Sequence, residues 1–250
     1  MSADKVLIVT GAGRGIGAAT ARLAARRGYA VCVNYRRDRE AAEGVVAGIR
    51  RDGGRAIAVP ADVAAEADVL RLFDTAAAEL GPVDALVNNA GILERQMRLE
   101  DMDPERMRRI FDTNVIGAFL CAREAVRRMS PRRGGRGGAI VNVSSLAARL
   151  GAPGEYIDYA ASKGALDTLT IGLSKEVAAD GIRVNAVRPG MIYTDMHASG
   201  GEPGRVDRLA PSIPLGRGGT ADEVAGAVLW LLSAEAAYTT GSFIDIAGGR

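Results

Sequence analysis

Tyr159 and Lys163, in the run YAASK, are spaced as i and i+4 and share a face if the segment is helical. A free phenol titrates at about pH 10. An ammonium beside it stabilises the phenolate, which makes the hydroxyl usable as a proton donor or acceptor near neutral pH. Reducing a carbonyl requires a proton at its oxygen, and oxidising an alcohol requires one removed. The run VNVSS, upstream, ends in Ser144 and Ser145. A serine hydroxyl at that place can hold the same oxygen by a hydrogen bond. Tyr156 is a nearby alternative, but Ala160 stands four residues after it, so Tyr159 is the candidate.

A second group of residues fits a phosphate-bearing ligand. TGAGRGIG, residues 10–17, follows the apolar run KVLIV and opens a small-residue helix predicted over 15–27. Gly11, Gly15 and Gly17 allow a tight turn and close approach of backbone to phosphate oxygens. The amides around Ile16 lie at a helix N-terminus, where the dipole favours an anion. No Gly-Lys-Ser/Thr follows, which excludes a nucleoside triphosphatase loop. The second strand ends VCVNYRR, with Tyr35 where an acid would hold a ribose 2′-hydroxyl, then Arg36 and Arg37. With Arg14 in the glycine loop, these arginines and the lack of an opposing acid favour a 2′-phosphate, hence NADP(H), with NAD(H) as the alternative. Asp62, before Val63 in PADV, is placed either to accept from the adenine amino group or to cap a helix. Asn89, Ala90 and Gly91 of NNAG continue the same groove.

The positioning elements alternate. Strands are predicted at KVLIV, AVCVN, RAIAVPA, DALVNN, GGAIVNVSS, IRVNAV and SFIDIAG. Helices are predicted over 39–51, 65–80, 104–129, 156–179 and 220–232, besides 15–27. Asp103 with Pro104, and Thr220 with Glu223, are the sequence patterns of helix N-termini. Seven short apolar runs separated by helices predict a parallel sheet covered on both faces, in one domain spanning 1–250 with a looser substrate segment over 191–218. Ligands on such a sheet bind beyond the carboxyl ends of the strands, where both groups fall.

Composition narrows the function. The 250 residues carry 32 basic and 30 acidic side chains, too even a balance for a nucleic-acid surface. Cys32 and Cys121 lie in apolar runs and read as buried thiols, and the single histidine, His197, builds no metal site. With neither a signal peptide nor an apolar run of membrane length, the cytoplasm is expected. Arg132, Arg133 and Arg136 in SPRRGGRGG read as a solvated connection, or as an anion-binding surface.

TGAGRGIG, NNAG, the asparagine of DTNVIGAF, the serine of VNVSS, YAASK and RVNAVRPG occur in the order found in the short-chain dehydrogenase/reductase family, which the chain resembles along essentially its whole length. The resemblance implies a Rossmann-type, doubly wound, seven-stranded α/β fold and a catalytic set of Asn114, Ser145, Tyr159 and Lys163. Asn114 would stabilise a kink in its helix and anchor a water of a proton relay. Ser145 would orient the substrate oxygen. Lys163 would lower the tyrosine pKa and bind the nicotinamide ribose. Pro189, Gly190, Ile192 and Thr194 would line the nicotinamide site. The serine-to-tyrosine spacing is one residue longer than usual in the family, so a bulge is expected beside the substrate. Residues 94–97, 147–157 and 191–216 would form the pocket, where Glu94, Glu155 and His197 hint at a polar substrate. The nearest branches are the 3-oxoacyl-carrier-protein reductases and the glucose-dehydrogenase-like enzymes. The implied activity is hydride transfer between a carbonyl and a secondary alcohol of a small molecule, in a homo-oligomer of tetrameric type. The alternatives are a non-catalytic dinucleotide-binding sensor or scaffold and an NAD(H)-preferring sugar or polyol dehydrogenase. An epimerase or dehydratase would need a longer C-terminal segment.

Overall fold

The computed structural model describes residues 5–250. Its first half runs β1 (Lys5–Val9), α1 (Gly15–Arg26), β2 (Tyr29–Tyr35), α2 (Arg39–Arg51), β3 (Ala56–Pro60), α3 (Glu66–Leu80) and β4 (Val83–Asn88). The second half runs α4 (Pro104–Phe111), α5 (Gly117–Met129), β5 (Gly138–Val143), α6 (Ala147–Leu150), α7 (Ile157–Glu176), β6 (Ile182–Pro189), α8 (Met196–Ser199), α9 (Arg205–Leu209), α10 (Ala221–Leu232) and β7 (Phe243–Ile246). The strands form one sheet in the order β3-β2-β1-β4-β5-β6-β7, and every pairing is parallel. The order reverses between β1 and β4, which opens a crevice at their carboxyl ends.

Alternate residues of each strand feed two cores. Leu7, Val9, Val31, Val33, Val87, Val141 and Val187 meet α1, α2 and α10 on one face. Val6, Ile8, Cys32, Leu86, Ile140 and Val184 meet α3 and α5 on the other. Burial on both faces explains why the strands read as apolar runs without alternation. In α1 the inward residues include Ala18, Ala21 and Ala24, small enough to bring the helix close to the sheet. Cys32 and Cys121 are buried thiols, as expected.

Caps agree with the sequence patterns. Asp103 accepts the Arg106 amide at 2.7 Å with Pro104 beginning α4, and Thr220 with Glu223 forms a reciprocal capping box on α10. Two helices break within their predicted spans, the first at Asn114, where the resemblance implied a kink. The run 104–129 is interrupted by a π-turn, Asp112–Ile116, between α4 and α5. The run 156–179 leaves the α conformation after Glu176 and closes with a 3-10 turn at Ala178–Asp180, where Gly181 takes φ +69°. The looser segment 191–218 contains α8, α9 and a further 3-10 turn. The arginine loop is tied down rather than loose: Arg132 pairs with Asp180 at 3.0 Å and Arg136 with Asp84 at 3.1 Å. Among the described residues no helix is long and apolar enough to cross a membrane.

Candidate active site

The glycine loop between β1 and α1 is braced from both sides. Gly11 and Gly15 adopt φ of +61° and +54°, which favours glycine. From β2, Asn34 accepts the Gly11 amide at 3.1 Å on its side chain and the Ala12 amide at 2.8 Å on its backbone. Its own side-chain nitrogen donates to the carbonyls of Tyr35, Val59 and Ala61. From the end of β4, Asn89 donates to the carbonyls of Thr10 and Gly11 at 2.8 and 3.0 Å. The Thr10 hydroxyl accepts the amides of Asn89 and Ala90 at 3.0 and 2.9 Å. Sequence reading found Asn89 but passed over Asn34 and Thr10. Their signal is a polar residue closing an otherwise apolar strand.

This loop fits a phosphate. Arg14 stands at the N-cap of α1 without a side-chain cap, and the first turn holds no acid. The amides of Ile16 and Gly17 have no acceptor among the described residues. Thr194, from the segment after β6, lies opposite Gly15, 3.5 Å from where a Cβ would be. Gly190, after Pro189, packs on Ala247 so closely that a Cβ would come within 2.9 Å. Ile192 is buried and bridges to Gly219.

At the end of β2 one expectation is corrected. Arg36 does have an opposing acid: its Nε lies 2.8 Å from Asp62 Oδ2. The topology brings the ends of β2 and β3 side by side, so the two side chains meet although 26 residues separate them. Asp62 does not cap α3, whose N-cap is Ala65 without a side-chain bond. It accepts the Ala64 amide at 3.1 Å in the preceding turn. Arg14 and Arg37 have no acidic partner among the described residues. Val63 is buried and packs against Gly117, 2.7 Å from a built Cβ there. Tyr35 closes β2, half-buried, at the mouth of this region.

The candidate reactive groups come together beyond β5. The Ser145 hydroxyl lies near enough to that of Tyr159 to favour its phenolate, and accepts the Ala147 amide at 3.1 Å. Ser144 is instead buried and donates to the Lys163 carbonyl at 3.2 Å. The geometry thus separates the two serines. Lys163 places Nζ 5.6 Å from the centre of the Tyr159 ring and donates to the Val143 carbonyl at 2.8 Å. The expected lowering of the phenol is absent: burial pushes Tyr159 up to about 12, against a smaller opposite effect of Ser145. Burial likewise pulls Lys163 down to about 8. Removing either charge from water is costly, and at these distances neither group compensates the other.

Asn114 sits wholly buried in the π-turn. Its Oδ1 accepts the Ile92 amide at 2.8 Å, and its Nδ2 donates to the Ile92 carbonyl and to Ser162 Oγ, both at 3.0 Å. Both amide hydrogens are therefore used, so a water can meet only a remaining lone pair of Oδ1. Gly91 lies beside both, where a Cβ would be in ordinary contact, 3.4 Å from Asn114 Oδ1 and 3.5 Å from Lys163 Nζ.

The polar residues of the neighbouring loops are held by the protein itself. Glu94 takes both nitrogens of the Arg109 fork, at 2.9 and 3.1 Å. Glu155 pairs with Arg205, which also bonds Glu202 at 3.1 Å and lies 5.2 Å over the Tyr156 ring. His197 Nε2 meets the Ile192 carbonyl at 2.9 Å. These contacts remove the three residues as simple pointers to a polar substrate. The longer serine-to-tyrosine connection folds as α6 followed by a tight turn through Gly151, Ala152 (φ +46°) and Gly154.

Comparison with known proteins agrees with this architecture. The family described as enoyl-(acyl carrier protein) reductase matches residues 11–250. The chain is 60% identical over 245 residues, covering 98% of its length and 99% of the relative's, to the uncharacterized oxidoreductase YgfF of Escherichia coli strain K12. It is 40% identical, over 98% of its length and 96% of the relative's, to a 3-oxoacyl-(acyl-carrier-protein) reductase of Synechocystis. A crystal structure of a short chain dehydrogenase from Burkholderia cenocepacia J2315 in complex with NADP aligns with TM-score 0.89 and 36% identity, covering 98% of this chain and 97% of that one. A topology that brings the glycine loop, NNAG and the Ser-Tyr-Lys group to one crevice, together with these likenesses along the chain, makes it a member of the short-chain dehydrogenase/reductase family of oxidoreductases.

Proposed function

We propose that the chain interconverts a carbonyl and a secondary alcohol by hydride transfer, using NADP(H) in preference to NAD(H). The convergence of Ser145, Tyr159 and Lys163 beside a braced glycine loop carries this reading. The open amides at Ile16 and Gly17 would hold the pyrophosphate, and the nicotinamide, when bound, supplies or accepts the hydride. Tyr159, fully protonated at neutral pH in this state, delivers its proton to the substrate oxygen while Ser145 holds that oxygen in place. Lys163 keeps a positive charge near the ring, and Asn114 anchors Ile92 and Ser162 around it. Tyr35, Asp62, Val63, Asn89, Ala90, Gly91, Pro189, Gly190, Ile192 and Thr194 line the cofactor groove. The preference for a 2′-phosphate rests on Arg14 and Arg37, with Arg36 reaching it only if it turns from Asp62.

The substrate is a small carbonyl or alcohol compound, taken in under the segment 191–218. Similarity to the 3-oxoacyl-(acyl-carrier-protein) reductase, and 42% identity to a cis-4-hydroxycyclohexanecarboxylate dehydrogenase of Sinomonas cyclohexanicum, favour acyl and alicyclic ketones as first candidates. The protein works in the cytoplasm as a homo-oligomer, with exposed Phe111, Ile116 and Phe119 on α4 and α5 as its contact face.

Loss of reduced-nicotinamide absorbance tests the reading. NADPH or NADH is supplied with 3-oxoacyl thioesters, cyclic ketones and sugar ketones, beside a Tyr159→Phe control. The expected result is faster consumption of NADPH, reduced about a thousandfold in the variant. Faster NADH consumption would overturn the role of Arg14 and Arg37. Tight NADPH binding with no consumption on any carbonyl would favour the non-catalytic sensor.

A further inference from the structure

Two side chains of one helical run hold the loop after β4 against α7. Asn114 is the first, through Ile92 and Ser162. Arg106, on α4, is the second. It donates from Nη1 to the Arg95 carbonyl at 2.6 Å, and from Nε and Nη2 to the Asp158 carboxylate at 2.7 and 3.3 Å. Both side chains of the pair are 2% exposed. Asp158 Oδ1 also accepts the Tyr159 amide at 2.8 Å, in the first turn of a helix whose N-cap, Tyr156, offers no side-chain acceptor. The two anchor points, Asp158 and Ser162, flank Tyr159 along α7.

Stability does not by itself explain a buried pair. Replacing both partners by apolar side chains of similar volume is often neutral or stabilising, because neither charge then has to leave water. A guanidinium does what an apolar residue does not: its rigid fork grips a carboxylate while its remaining edge reaches a carbonyl in another segment. Here that joins α4, the first turn of α7 and the loop 92–95, which follows Gly91, whose Cβ position lies 3.5 Å from Lys163 Nζ.

We propose that Arg106 and Asp158 are positioning residues that set Tyr159 in register with the substrate-side loop 92–95. The proposal rests on the acid/base reading of Tyr159. Removing one partner also leaves an unpaired buried charge beside the Tyr159 backbone. Around Tyr159 stand Ser145 beyond β5, Lys163 with Nζ 5.6 Å from the ring centre, Asp158, which accepts the Tyr159 amide and pairs with Arg106 of α4, and Ser162, which donates to the Tyr159 carbonyl and is bonded by the uncharged Asn114. The cations Arg149 on α6 and Arg188 on β6 are paired with Asp245 and Asp167. A lone Asp158 carboxylate raises the pKa of the phenol, and a lone Arg106 guanidinium lowers it.

The test compares wild type with the double variant R106M/D158L and with the singles Arg106→Gln and Asp158→Asn. The double variant buries no charge. It is expected to fold and bind NADPH as wild type does, yet to lose about tenfold to a hundredfold in kcat. Amide hydrogen exchange at Tyr159 and at 92–98 should accelerate in it, while exchange in β1, β2 and β3 stays unchanged. In the singles, the apparent pKa of the pH–rate profile should move up for Arg106→Gln and down for Asp158→Asn, which a purely structural pair would not produce. Wild-type kcat and unchanged exchange in the double variant would overturn the proposal. If the double variant does not fold, Arg106→Lys decides. It keeps the charge but not the fork, so reduced kcat with intact NADPH binding upholds the proposal and wild-type kcat overturns it. A wild-type protein that consumes no reduced nicotinamide counts against the proposed function instead, and the exchange measurement then decides the positioning claim on its own.

Discussion

Gly17 leaves no room for a side chain: a Cβ there would lie 2.5 Å from Asn89 Nδ2 and 2.6 Å from the Gly11 carbonyl. Gly17→Ala must therefore push the loop away from its brace. We expect NADPH affinity to fall at least about tenfold, measured by calorimetry, while β-sheet circular dichroism is unchanged. Lys163 makes a different prediction. Burial lowers its pKa from 10.5 in the unfolded chain to about 8 in the folded one. Across that window the unfolded chain holds a proton that the folded chain has released, so stability rises with pH. Lys163→Met removes this contribution. Its melting temperature should exceed that of wild type near neutral pH, and the gap should narrow as pH is raised through about 9. An increasing gap would contradict the assignment. Tyr159 and Lys163 were legible in the sequence because a helix turn brings i and i+4 together. The Arg36–Asp62 and Arg106–Asp158 pairs were not, since only the strand order and the packing of α4 on α7 bring those side chains together.

Among the elements, the α4–α5 run shows what periodicity conveys and what it misses. Asp103, Pro104 and the apolar stripe announced a helix, but nothing in the residue types marks a turn of π-helix at Asp112–Ile116. That wider turn is set by tertiary contacts, as Asn114 is held by Ile92 and Ser162 at once. Asn114→Ala leaves the amide and carbonyl of Ile92 without their partners, so a loss of about 2–4 kcal/mol is expected, read by denaturant unfolding. Turnover should fall with it, because Ser162, which Asn114 also holds, donates to the Tyr159 carbonyl at 2.7 Å. A milder effect belongs to α10. Its capping box was plain in the sequence, being wholly local, and Thr220→Ala should lower stability by about 1 kcal/mol, or about 2–4 °C in melting temperature, without changing kcat.

For the whole molecule, the doubly wound sheet was legible because burial on both faces turns every strand into an apolar run and every crossover into a helix. That NNAG continues the groove was legible from its place at a strand end, while the carbonyls of Thr10 and Gly11 that Asn89 braces came only with the fold. Phe111, Ile116 and Phe119 are 39%, 48% and 46% exposed on adjoining turns of α4, the π-turn and α5, a patch that association would cover. Phe119→Glu is expected to shift sedimentation toward the monomer. An unchanged sedimentation coefficient would remove that face from the assembly.

Cys32 and Cys121 are the two cysteines of the chain, one in the middle of the sheet and one on the inner side of α5. Both have no accessible surface, and burial raises both thiols, Cys121 to about 12 and Cys32 further. Thiolate is the form that alkylating agents and peroxide attack. The native protein should therefore be inert to both, and reaction with a maleimide would time the moments when the molecule opens. Two clocks are built into one core, the layer between the sheet and α3 and α5. If they run at the same rate, sheet and helices part together; if Cys121 reacts first, the layer carrying α5 comes away while the sheet is still closed.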